Sequence, residues 1–134
     1  MRRYWHDIPC ALVSFGHPYY LYDAPRMPCV FNAYTAASPV QHAVVREVVA
    51  VAQADGQALT LAAALEAMER IATAMPAQFS STAQDLARGK PTEIDPLNGF
   101  VVRRGAELGV ATPVNQTLHA LVKLVEAGRT APAA

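Results

Sequence analysis

Charge is scarce in this chain. Only 16% of the residues are Asp, Glu, Lys or Arg, against 52% hydrophobic, and the 11 acids balance the 11 bases. A formal net charge of zero argues against nucleic acid or an anionic membrane as the main partner. Lysine is especially rare, with Lys90 and Lys123 alone. Two cysteines, Cys10 and Cys29, are too few for a zinc framework or a disulfide scaffold. The histidines His6, His17, His42 and His119 show no ligand spacing with one another or with the cysteines, so no metal is expected. No arrangement of Ser, Cys and His suggests a nucleophile. No G-x-G-x-x-G occurs; the glycines are scattered where helices should stop. No apolar run reaches the length of a membrane span, and MRRYWHDIP at the start has no apolar signal core. The expectation is a cytoplasmic protein. At 134 residues there is material for one core. With so little charge, much helical surface should be buried against something, which favours an oligomer or a piece of a larger protein.

What is present divides in two. Residues 1–37 hold eight of the ten aromatic residues. Two short apolar runs there, Cys10–Phe15 and Cys29–Tyr34, each follow a proline and have strand length. If they pair in register as a βαβ-like segment, Cys10 and Cys29 sit side by side, as a reduced pair in the cytosol. From Ser38 the pattern is helical. Ser38 can cap and Pro39 suits the first helical position. Val40, Val44, Val48 and Val51 recur at helical spacing, and Asp55-Gly56 gives a stop. Thr60 can cap a second helix with the stripe Leu61, Leu65, Met68, Ala72 and Met75, ended by Pro76; Glu66, Glu69 and Arg70 mark its solvated side. A helix ending near Leu108-Gly109 follows. Thr112 and Pro113 open the last one, with Leu118, Leu121, Val122 and Val125 inward and Gly128 as its stop. The reading is a mostly α protein: a bundle of four to five helices with a short N-terminal two-stranded segment. Its parts are 1–37, 38–128 and a tail, 129–134.

The densest polar stretch is Ser80–Asn98, SSTAQDLARGKPTEIDPLN. Ser81 and Gln84 fit a capping box for a short helix that Gly89 closes. Pro91 breaks the chain, and Thr92 or Asp95 starts another helix with Pro96 in its first turn. Two short helical starts at one corner would gather Ser81, Asp85, Glu93 and Asn98. Taken alone, these residues read equally as caps and solvated turn residues. Arg103-Arg104 beside Arg88 and Lys90 could meet an anion, or form a solvated face.

Two resemblances add to this. Val13–Leu21 and Phe31–Tyr34 resemble the C-terminal α/β sandwich of family 3 glycoside hydrolases. Asp7 and Asp23 in that stretch are isolated, whereas a glycosidase needs a facing carboxylate pair. The segment therefore reads as structural. The second resemblance covers residues 46–126. Arg46–Gly56, Ser80–Asp85, Pro91–Asp95, Asn98-Gly99, Leu108–Asn115 and Leu121–Lys123 look like the C-terminal helical domain of ketopantoate reductase (2-dehydropantoate 2-reductase). That resemblance implies NADPH-dependent reduction of a 2-keto acid, with dimerisation through the helical domain. It places Ser81 and Glu93 on the substrate cleft. The serine bonds the substrate, Glu93 helps to hold substrate and cofactor, and Asp85 and Asn98 support them.

The residue types suit a 2-keto acid, which needs a donor for its carboxylate and an acceptor for its hydroxyl. The family's proton-donating lysine lies on the first helix of this domain, and neither Lys90 nor Lys123 falls there. The expectation is a helical substrate-cleft module that binds no cofactor alone and is not catalytic alone. It would either dimerise or be completed by a nucleotide-binding partner chain, with NADPH held there. A glycosidase-related accessory module is the remaining alternative.

Overall fold

The computed structural model describes residues 33–74 and 81–130. These form helices α1 (Ala33–Ala54), α2 (Leu61–Ala74), α3 (Ser81–Ala87), α4 (Asn98–Leu108) and α5 (Pro113–Thr130). The described part is thus a helical bundle of the expected kind. The strand expected at Cys10–Phe15 and the pairing of Cys10 with Cys29 lie outside the described residues. So does most of the strand expected at Cys29–Tyr34; its last two residues, Ala33 and Tyr34, open α1 instead.

The hub is α1, which packs against α2, α4 and α5. Val44, Val45, Val48, Val49 and Val51 are each at most 4% exposed. Valine is a weak intrinsic helix former because its χ1 is stiff. Burial offsets this, at about 1.5–3 kcal/mol for each fully buried valine. Met68 and Ala64 of α2 and Val101 of α4 complete this cluster, with Leu59, Leu61, Leu65, Phe100, Leu108, Val110, Val114 and Leu118 packed on its edge.

Two expectations about α1 change. The helix begins at Ala33, so Pro39 stands inside it. Proline removes one N–H and leaves the carbonyl four residues back without its helical partner. Pro39 itself is exposed. Ala33, Ala36 and Ala37 are strong helix formers that carry the helix upstream. Val40 is 44% exposed, so the buried stripe starts one turn later than its spacing suggested.

The stops and caps mostly fall where the sequence puts them. Gly56 ends α1 with φ +78. The hydroxyl of Thr60 accepts from Ala63 N at 3.2 Å and caps α2. Gly109 ends α4 with φ 71, and Val110 N reaches back to Gly105 O at 2.8 Å. Gly105 itself is a close-approach position. A Cβ there would lie 2.8 Å from Val110 O, 2.9 Å from Thr112 Cγ2 and 3.3 Å from Val51 Cγ2. Only glycine lets α4 sit this near α1 and the 109–112 link. The last helix differs from expectation. It runs past Gly128 to Thr130. Val122 is 5% exposed, but Leu121 and Val125 are 52% and 44% exposed. The face of α5 that turns inward is narrower than the hydrophobic spacing suggested, because a polar stripe occupies part of it.

Candidate functional site

The short helix α3 begins at Ser81, which is the first helical residue. Ser81 thus stands in the first turn of the helix, and its exposed hydroxyl makes no hydrogen bond to the described residues. Gly89, with φ +67, closes α3, and Lys90 N donates to Asp85 O at 2.8 Å. Asp85 is half-buried. Thr82 is 1% exposed and its Oγ1 has no hydrogen-bond partner among the described residues.

The next helix does not start at Thr92 or Asp95. Residues 93–97 form a turn and α4 starts at Asn98. Pro96 has no N–H to give to the Thr92 carbonyl, so a regular first turn fails. The turn still has internal bonds, with Leu97 N donating to Glu93 O at 3.2 Å and Gly99 N to Ile94 O at 3.0 Å. Ile94 is fully buried and packs with Leu86 of α3 and Val122 of α5. That contact joins the Ser81 helix to the Glu93 turn.

The four expected site residues separate into two environments. Ser81 and Glu93 are exposed, with no hydrogen bond between them. Asn98 is 3% exposed and points into the protein, where its Nδ2 donates to Asn115 Oδ1 at 2.9 Å. Asn115 Nδ2 in turn donates to Glu47 Oε2 at 2.7 Å. A carboxylate can only accept, so Glu47 fixes the direction of this chain. Both amides are oriented by it, and Asn98 Oδ1 is left buried without a partner.

Around Glu93 the charged residues are engaged. Asp95 accepts from Lys123 Nζ at 2.9 Å and meets His119 Nε2 at 2.7 Å. These two bonds, that of Lys123 first, hold the Asp95 carboxyl below its ordinary value. Glu126 Oε1 accepts from Thr92 N at 2.7 Å and from Thr92 Oγ1 at 2.8 Å. The backbone N–H of Thr92 is the main cause of a lowered Glu126 pKa. Lys123 also reaches Glu126 Oε2 at 3.0 Å, and Asp95 and Glu126 together raise its pKa. The arginine pair divides. Arg104 is held by Asp55 and Glu107, while Arg103 donates to Asp95 O at 3.3 Å. Among the described residues no group of three or more His, Cys, Asp or Glu converges as a metal site. No described helix is long and apolar enough to cross a membrane.

Sequence reasoning missed Glu47, Thr82, Asn115, His119, Lys123 and Glu126. For four of them a signal existed: 115, 119, 123 and 126 recur at helical spacing and lie on one face of α5.

Fold and site together describe an all-helical domain that presents a serine and a glutamate on two adjoining short elements. Comparison with known proteins then gives the family. Residues 27–126 match the family described as ketopantoate reductase PanE/ApbA C terminal, and the chain belongs to that family. The match begins upstream of Arg46 and takes in the first part of α1. A 2-dehydropantoate 2-reductase of Vibrio cholerae is 38% identical over 89 residues, covering 66% of this chain and 30% of the relative. That of Pyrobaculum aerophilum is 50% identical over 62 residues, covering 46% of this chain and 22% of the relative. A PanE/ApbA family ketopantoate reductase from Ralstonia eutropha superposes with a TM-score of 0.73 at 38% identity, covering 95% of this chain and 41% of the other. The chain thus spans less than half the length of each of these relatives.

Proposed function

We propose that this chain supplies the substrate-facing half of an NADPH-dependent 2-dehydropantoate 2-reductase, with Ser81 and Glu93 as its ligand-binding residues. The observation that carries this reading is the family match, whose span of residues 27–126 includes both residues. The geometry is compatible with it. Both side chains are exposed and make no hydrogen bond to the described residues, on elements joined through Leu86 and Ile94. Ser81 donates to the substrate and Glu93 accepts from its hydroxyl and from the cofactor. Asp85 and Asn98 act behind them, Asn98 as a buried anchor of the turn.

Among the described residues no strand is followed by a glycine cradle for a dinucleotide, so Glu93 is the one cofactor contact proposed on them. The dinucleotide is assigned to a nucleotide-binding domain outside the described residues, and no hydride step is derived from the residues present. No lysine stands on α1, the helix where the resemblance places the proton donor, so no protonation step is derived either. The same reading includes a cytoplasmic dimer. Leu121, Leu124 and Val125 on α5 are 52%, 67% and 44% exposed, a patch that a second copy would cover.

Mixing the chain with a separately produced nucleotide-binding domain of a 2-dehydropantoate 2-reductase tests the assignment. NADPH oxidation that depends on 2-dehydropantoate and on this chain, and that is lost in Glu93→Ala, supports it. Oxidation unchanged by Glu93→Ala overturns it.

A further inference from the structure

Among the described residues, every side-chain bond that holds the turn Thr92–Asn98 to another element, apart from that of Arg103, ends on α5. Glu126 takes the N–H and hydroxyl of Thr92, Lys123 and His119 take the carboxylate of Asp95, and Asn115 takes the amide of Asn98. Glu93 lies among these anchored residues and is exposed. We propose that the stripe Asn115, His119, Lys123 and Glu126 is the positioning element of the Glu93 site. It fixes the backbone on both sides of Glu93 and leaves that carboxylate alone free for a ligand. The proposal rests on the reading of Glu93 as a ligand-binding residue.

Three observations support a built device. First, the charges are matched. Lys123 sits between Asp95 and Glu126, at 2.9 and 3.0 Å, so both acids that bracket Glu93 already have a cationic partner. Second, the small residue at 99 leaves room for the stripe. A Cβ on Gly99 would lie 3.0 Å from His119 Nε2 and 3.1 Å from Arg103 Nη1. Glycine there lets the imidazole lie over the start of α4 and reach Asp95, where Nε2 must be the donor because a carboxylate accepts. Third, the stripe is referenced to the core. Glu47 of α1 accepts from Val114 N at 2.8 Å and from Asn115 N at 2.9 Å. The first turn of α5 is thereby tied to the most buried helix. A carboxylate held in advance loses less conformational freedom when a ligand binds.

The test uses the full chain and two readouts. Amide exchange at Thr92, Ile94 and Leu97 in the free protein reports the turn, and exchange at Val48 and Val51 reports the core. Calorimetry with 2-dehydropantoate reports the site. Glu126→Ala should speed exchange at Thr92 by about tenfold or more. It should weaken binding and leave Val48 and Val51 unchanged. Glu126→Gln keeps an acceptor for Thr92 and should recover most of both effects. His119→Gln, outside the core, gives a second route and should speed exchange at Leu97. Unchanged turn exchange in both Glu126→Ala and His119→Gln overturns the proposal, and so does faster turn exchange with undiminished binding. If the unaltered chain does not bind 2-dehydropantoate, the reading of Glu93 fails, and the positioning role falls with it. The exchange data then still show whether α5 holds the turn.

Discussion

Asn115 is bound twice by Glu47: one carboxylate oxygen, Oε2, accepts from both its backbone N at 2.9 Å and its Nδ2 at 2.7 Å. The other oxygen accepts from Val114 N at 2.8 Å. A glutamate in the middle of one helix therefore satisfies the free N–H groups at the start of another. Hydrogen bonds to a charged acceptor are worth more than neutral ones, and removing the acceptor strands buried donors. Glu47→Ala is predicted to lower the unfolding free energy by about 3 kcal/mol, read from urea titration. Glu47→Gln, which keeps one acceptor, should lose less. A change below about 0.5 kcal/mol for Glu47→Ala would mean that the clamp contributes nothing beyond surface level.

Glycine 105 makes a second stability prediction. A methyl group there meets Val110 O at 2.8 Å and Thr112 Cγ2 at 2.9 Å, and a backbone carbonyl cannot turn aside. Gly105→Ala should cost about 1–3 kcal/mol through overpacking. Gly128 is the internal control. It lies inside α5 with nothing within 4 Å of an added Cβ. Gly128→Ala should stabilise by about 0.5–1 kcal/mol. The two substitutions thus have opposite predicted signs in one thermal unfolding series.

The acids of the α5 stripe give a pH dependence. Asp95 and Glu126 titrate below their ordinary values of 3.8 and 4.5 in the folded protein. A carboxyl with a depressed folded pKa adds stability that is complete above its unfolded value. That stability is lost as pH falls through the folded one. Unfolding free energy should therefore decline as pH drops from about 5 through the region below these values. Asp95→Asn combined with Glu126→Gln should flatten the decline. Lys123 acts in the other direction. Its pKa is raised from 10.5, so its contribution is full below that value and is lost as pH rises through the folded one. Asp95 is 52% exposed at its side chain, so its share is small and added salt should reduce it.

Self-association is predicted from α5. Sedimentation velocity should show a dimer for the chain, and Leu124→Glu, at the most exposed apolar side chain, should shift it to monomer. A monomer at all concentrations for the unaltered chain would remove the dimer.

Much of this fold could be read from local chemistry. Gly56, Gly89 and Gly109 all adopt positive φ where helix stops were expected, and Thr60 caps α2. Such signals depend on one residue and its neighbours, so a sequence carries them directly. The misreadings have a different origin. Pro39 resembles a first helical position, yet tertiary burial of the valines beyond it sustains a helix through it. Val40, Leu121 and Val125 fit a helical stripe by spacing, but spacing does not say how wide a face its neighbours cover. The polar framework was hidden because its partners are distant in sequence. Glu47 and Asn115 are 68 residues apart, and Thr92 and Glu126 are 34. Ser81 and Glu93 were nameable from the family resemblance, whereas the helix that holds the Glu93 turn was not.

If Ser81 and Glu93 form one ligand-binding surface for a 2-keto acid, as proposed, a ligand must perturb both elements together. Titrating the isotopically labelled chain with 2-dehydropantoate while following backbone amide resonances tests it most directly. Saturable shifts are expected in 81–87 and 92–98, abolished by Ser81→Ala and by Glu93→Ala with the fold intact. Shifts confined to other residues, or shifts that persist unchanged in both variants, would contradict it.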